Sequence, residues 1–69
     1  MNKWIGYESQ NDYIVQVERQ YINRIIHYFR SYKLYYRITQ ADGLVRFKLP
    51  KWAWTKAELM ALNDFIDAL

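Results

Sequence analysis

The chain's hydrophobic and polar positions change period along its length, and each period predicts an element. From Asp12 to Tyr32 the apolar residues recur every three or four positions. Ile14, Val17, Tyr21, Ile22, Ile25, Tyr28, Phe29 and Tyr32 fall on one side, with Gln16, Gln20, Asn23, Arg24, His27 and Arg30 on the other. That spacing predicts one long amphipathic helix of about six turns. It would be entered through the polar break Ser9 to Asp12, a weak relative of a capping box, and preceded by a short edge strand over Lys3 to Tyr7. Tyr13 to Glu18 carries a competing signal. It is rich in β-branched residues and partly alternating, so it would equally pair with Trp4 to Glu8 as a hairpin and leave a shorter helix from about Arg19. A sustained period outweighs local propensity, so the long helix is the expectation.

The middle of the chain alternates. Lys33 to Thr39 and Leu44 to Leu49 flank Gln40-Ala41-Asp42-Gly43, and Asp-Gly between apolar runs signals a two-residue hairpin turn because both residues tolerate positive φ. That turn sets Ile38 against Phe47 and Tyr36 against Leu49 on one face, and Thr39 against Arg46 and Arg37 against Lys48 on the other. A slip of one residue would mix the two faces. Pro50 lacks a backbone donor and closes the strand.

The last element is marked at its start. Thr55-Lys56-Ala57-Glu58 is a capping box, and Trp54 before the cap with Leu59 at the fourth helical position makes a hydrophobic staple. Leu59, Leu62, Phe65, Ile66 and Leu69 form its apolar stripe. The fold class is therefore α+β: a small antiparallel hairpin sheet, with the N-terminal strand as an additional member, packed with one long helix and one C-terminal helix in a single domain spanning residues 1–69.

Composition narrows the function classes. The 69 residues include no Cys and one His, with two Gly and one Pro. There is no disulfide framework, thiol chemistry or Cys-ligated metal site to expect. No apolar run approaches the roughly 20 residues of a membrane-spanning helix, and the start lacks a signal-peptide pattern; both point to an intracellular, cytoplasmic setting with no membrane partner. Thirteen aromatic residues, three Trp, seven Tyr and three Phe, exceed what one small core encloses. Some are expected at a binding surface or a homodimer seam.

The net charge of +3 conceals an asymmetry. Residues 19–56 hold nine basic side chains against Asp42 alone, while both ends of the chain are acidic. A clustered positive field recruits polyanions through phosphate neutralisation and counterion release. The outward face of the hairpin would offer Lys33, Tyr35, Arg37, Arg46 and Lys48, with Lys51 just beyond. Arg24 and Arg30, beside Gln20, Asn23 and His27, would extend it along the exposed side of the long helix. Lys and Arg on an edge hairpin also discourage sheet-to-sheet aggregation, and a polar helix side is what any solvated helix shows. Two-stranded ribbons fit a DNA major groove, so the reading is a small nucleic-acid-binding protein with duplex DNA as partner.

Lys51-Trp52-Ala53-Trp54 is the other unusual feature. If the segment is extended, both indoles project to the same side. Trp52 is then expected to complete the core under the last helix, since Trp is mostly buried; otherwise it stacks on a base or anchors a protein interface. This last role belongs to the alternative reading, a compact inhibitor or adaptor docking on an acidic protein. Catalysis is not expected. His27 has no nameable partner, there is no Gly-rich phosphate loop, and the acids are dispersed. No catalytic residue, metal ligand or cofactor site is assigned.

Overall fold

A computed structural model describes residues 4–41 and 43–69. Strands β1 (Trp4–Glu8) and β2 (Asp12–Glu18) form an N-terminal hairpin. A single 3-10 turn (Arg19–Tyr21) leads into helix α1 (Ile22–Ser31). The second hairpin is β3 (Arg37–Ala41) and β4 (Leu44–Pro50), and helix α2 (Lys56–Asp67) closes the described fold. The four strands make one antiparallel sheet in the order β1-β2-β4-β3. The α+β class stands.

The long helix over Asp12 to Tyr32 does not form, and the competing hairpin is what folds. Ile14, Val17 and Tyr21 mimic helical spacing, but Val15 falls outside that stripe, and in the structure it is a core residue. Laid out as a strand, Tyr13, Val15 and Val17 share one face and meet Leu49, Phe47 and Val45 of β4. Strand β2 is central, so its backbone is paired on both sides, to β1 and to β4. That long-range pairing, together with the burial of three β-branched side chains, overrides the local period. The expected edge strand over Lys3 to Tyr7 is found as Trp4–Glu8; Lys3 lies outside the described residues.

The second hairpin has the register that its alternation predicts, Arg37 with Lys48, Ile38 with Phe47 and Thr39 with Arg46. Gly43 occupies positive φ in the turn (φ 80), as the hairpin geometry requires; Asp42 lies outside the described residues. Helix α2 begins with the complete capping box. The Glu58 N–H donates to Thr55 Oγ1 at 3.1 Å, and the Thr55 N–H donates to Glu58 Oε1 at 2.9 Å.

Helix α1 ends in a Schellman motif. The Leu34 N–H donates to the Phe29 carbonyl at 2.8 Å and the Lys33 N–H to the Arg30 carbonyl at 3.2 Å. Lys33 takes the left-handed position with φ 55, where glycine is usual.

One core holds the layers together. Val15, Val17, Val45, Phe47 and Leu49 from a single face of the sheet pack with Ile25 and Phe29 of α1, Leu62 and Ile66 of α2, and Trp54. Phe29 sits at its centre, edge-on to Phe47 at 5.2 Å and to Trp54 at 5.6 Å. Both helices thus cover the same face of the sheet. The other face carries no helix among the described residues.

Candidate nucleic-acid interface

Strand alternation decides what the open face displays. Tyr36 packs on Phe29 and Phe47 in the core, so Tyr35 and Arg37 on either side of it point the opposite way. Pairing then builds the surface row by row. Tyr7, Ile14, Lys48 and Arg37 follow one another across the four strands, and Ile5, Gln16, Arg46 and Thr39 form the next row. Ile14 is a buried apolar residue, 7% exposed, that does not belong to the main core; it lies under this second surface instead.

Arg37, Arg46 and Lys48 are therefore neighbours, and no carboxylate of the described residues is within ion-pair distance of any of them. Arg37 and Lys48 stand directly opposite each other, a like-charge cross-strand pair that costs stability until an anion arrives. Arg46, in the middle of the sheet, is held by its neighbours. Its Nη2 donates to Gln16 Oε1 at 3.5 Å, and its carbonyl accepts from Thr39 Oγ1, also at 3.5 Å. Its Nε is buried without an acceptor among the described residues. That buried Nε is out of reach of a phosphate; what Arg46 offers an anion is the part of its half-buried guanidinium that Gln16 does not engage. Two acids share this parity, Asp12 and Glu18, one at each end of β2. They bound the basic patch without neutralising its centre.

An aromatic pair adjoins the patch. Trp52 is 78% exposed and Tyr35 47%, and their rings lie 5.4 Å apart with a 49° tilt. The expected burial of Trp52 under the last helix is corrected here. Residues 51–53 form a turn rather than an extended run, closed by a hydrogen bond from the Ala53 N–H to the Pro50 carbonyl at 3.0 Å. The turn separates the two indoles, so Trp54 enters the core at 3% exposure while Trp52 stays outside. The Trp54 Nε1 donates to the Tyr35 carbonyl at 2.7 Å, which ties the base of the aromatic pair to the core.

The remaining sequence-derived candidates are dispersed. Arg24 and Arg30 are exposed on α1, in the layer on the far side of the sheet from Arg37, Arg46 and Lys48. Helix and hairpin do not make one continuous basic surface. Lys33 is exposed at the corner where the chain leaves α1 for the sheet. Lys51 is committed to the protein's own carboxylate. Its Nζ is 2.9 Å from Glu8 Oε2 and 5.4 Å from the centroid of the Tyr13 ring, and this contact holds the Glu8 carboxyl below its ordinary pKa.

Reading β2 as helix also hid part of the face. Ile5, Tyr7, Ile14 and Gln16 join it only because β1 and β2 are strands, and the signal that could have found them is the alternation in Tyr13 to Glu18. A separate groove of about 350 Å³ lies between β1, β2 and α2, lined by Trp4, Tyr13, Leu59 and Met60 among others. Tyr7, Ile14 and Lys56 line it as well, while Arg37, Arg46 and Lys48 do not. No helix among the described residues is long and apolar enough to cross a membrane. Comparison with protein families, with curated proteins and with solved structures finds no match to this chain.

Proposed function

We propose that this protein binds nucleic acid on the open face of its sheet. The observation that carries the reading is the gathering of Arg37, Arg46 and Lys48 on the open face of the sheet, Arg37 exposed and Arg46 and Lys48 half-buried, without carboxylate partners among the described residues. Three adjacent cations on a rigid sheet attract phosphates, and binding releases condensed counterions from the polyanion. The like-charge pair Arg37–Lys48 gains most, since a phosphate between the two converts a repulsion into two charge-assisted contacts. Arg24 and Arg30, on the other layer, contribute to the long-range field and not to the contact surface.

The test is a binding titration with the double variant Arg37→Glu and Lys48→Glu. Both side chains point away from the core, so the variant is expected to melt as the parent does. Its affinity for DNA or RNA oligonucleotides should fall at least tenfold at low salt, as several lost phosphate contacts imply. Unchanged affinity in the folded variant would remove the basis for the reading.

One observation favours a second reading. A Trp as exposed as Trp52, beside Tyr35 and close to Arg37, also has the composition of an interface anchor. On that reading the partner is an acidic protein, and oligonucleotides do not bind even in low salt.

A further inference from the structure

Resting on the nucleic-acid reading above, we propose that Tyr35 and Trp52 form a base-stacking platform, and that the preferred ligand of the open face is a single strand, not a duplex. Three observations on the molecule lead there.

The first is the shape of the sheet. The hairpin that carries the cations is not a free ribbon, because β4 is central and paired to β2 along its whole length. Strands spaced about 4.8 Å apart make a face about 14 Å between its outer strand axes. That is wider than the roughly 12 Å major groove that admits a two-stranded ribbon. A broad open sheet instead suits a strand whose bases are splayed across it, with aromatic rings beneath them.

The second is the aromatic pair itself. An indole at 78% exposure leaves most of its apolar surface in water, with the tilted Tyr35 ring against it. A nucleobase laid on it covers that surface whatever its sequence, since every base has a π-face. The platform is preorganised. Tyr35 is tied through its carbonyl to buried Trp54, and the Trp52 turn is pinned on both sides, by Lys51 N–H to the Asn11 carbonyl at 2.9 Å and by Ala53 N–H to the Pro50 carbonyl at 3.0 Å. Little ordering remains to be done on binding.

The third is the order of groups along the hairpin. Outward side chains follow one another every second residue, about 6.8 Å apart along an antiparallel strand. Starting from Tyr35 and Trp52, the next outward row is Arg37 with Lys48, and the one after it is Thr39 with Arg46. Paired cations and further cation therefore lie in line along β3 and β4, with the Tyr35–Trp52 pair just beyond the strand ends, Tyr35 two residues before Arg37 and Trp52 two after Pro50. Asp12, paired with Pro50 at the end of β2, repels phosphate from the neighbouring path and keeps the backbone over the hairpin.

Three probes test this: a single-stranded oligothymidylate, a mixed-sequence duplex of the same length, and inorganic polyphosphate, which has the charge without the bases. Intrinsic tryptophan fluorescence and competition are read for the parent, Trp52→Ala and Trp52→Phe. Oligothymidylate should bind tightest and quench the parent's emission. Trp52→Ala should lower oligothymidylate affinity about tenfold, leave polyphosphate affinity unchanged, and remove the quenching. Trp52→Phe should recover most of the affinity. Trp52 is outside the core, so both variants should keep the parent's melting temperature. The inference is overturned if Trp52→Ala binds oligothymidylate as the parent does, if it loses oligothymidylate and polyphosphate equally, or if the duplex binds tighter than the single strand. In each of those cases the basic face still stands as a nucleic-acid surface. Absence of binding to both oligonucleotides would overturn the wider reading with it.

Discussion

Lys33 and Glu8 show how much single residues decide in so small a chain. Lys33 closes the Schellman motif of α1 from the left-handed region, where an L residue is strained and glycine is not. Lys33→Gly should stabilise the fold by about 1 kcal/mol, seen as a higher urea midpoint with unchanged slope. An unchanged or lower midpoint would mean that the Lys33 side chain makes a compensating contact. Glu8 is set by its hydrogen bond to, and the charge of, Lys51. A carboxylate whose folded pKa is depressed adds stability above its unfolded titration range, near pH 4.5, and that contribution is lost as pH falls through the lowered folded value. In Lys51→Met the Glu8 carboxyl should titrate near its ordinary value, as followed by NMR of its side-chain carbonyl carbon. A Glu8 midpoint that does not rise would show that the ion pair is not formed in solution.

At the scale of elements, the ones specified by local chemistry were legible in the sequence and the ones specified by distant pairing were not. The capping box at Thr55 and Glu58 announced α2 at the right residue, and Thr55→Ala should cost about 1 kcal/mol in thermal or urea unfolding. A loss near zero would mean that the cap is replaced by water. The Asp-Gly signal between two alternating runs predicted the register found for β3 against β4, because both faces of the hairpin were patterned. Strand β2 was harder. Ile14, Val17 and Tyr21 satisfy a helical period by coincidence, and what makes the segment a strand is pairing with β1 and β4, the latter about thirty residues further on, which no local window registers. Trp52 was misplaced for a related reason: one turn at residues 51–53 sends adjacent indoles to opposite environments, and nothing in Lys-Trp-Ala-Trp distinguishes that turn from an extended run. The candidate site was legible where it depended on the hairpin, namely Tyr35, Arg37, Arg46 and Lys48. It was not legible at Ile5, Tyr7, Ile14 and Gln16, which depend on β2 being a strand.

For the molecule as a whole, the two-layer architecture sorts the charge. Packing both helices on one face of the sheet leaves the other exposed, and the central basic block of the chain is divided between the two sides. Lys51 is neutralised by Glu8, Arg19 donates to Gln40, Arg24 and Arg30 stay with α1, Lys33 sits at the corner after it and Lys56 at the start of α2, while Arg37, Arg46 and Lys48 form the patch on the open face. The central claim is that these three side chains, acting together, hold phosphates. The most direct measurement is the salt dependence of oligonucleotide affinity. For a single strand, three neutralised phosphates give a slope of log affinity against log salt of about −2. Replacing Arg37 and Lys48 with Gln should reduce the slope to roughly a third of that value, with affinity falling in parallel. A parent slope near zero, or a slope that the double replacement leaves untouched, would contradict the account.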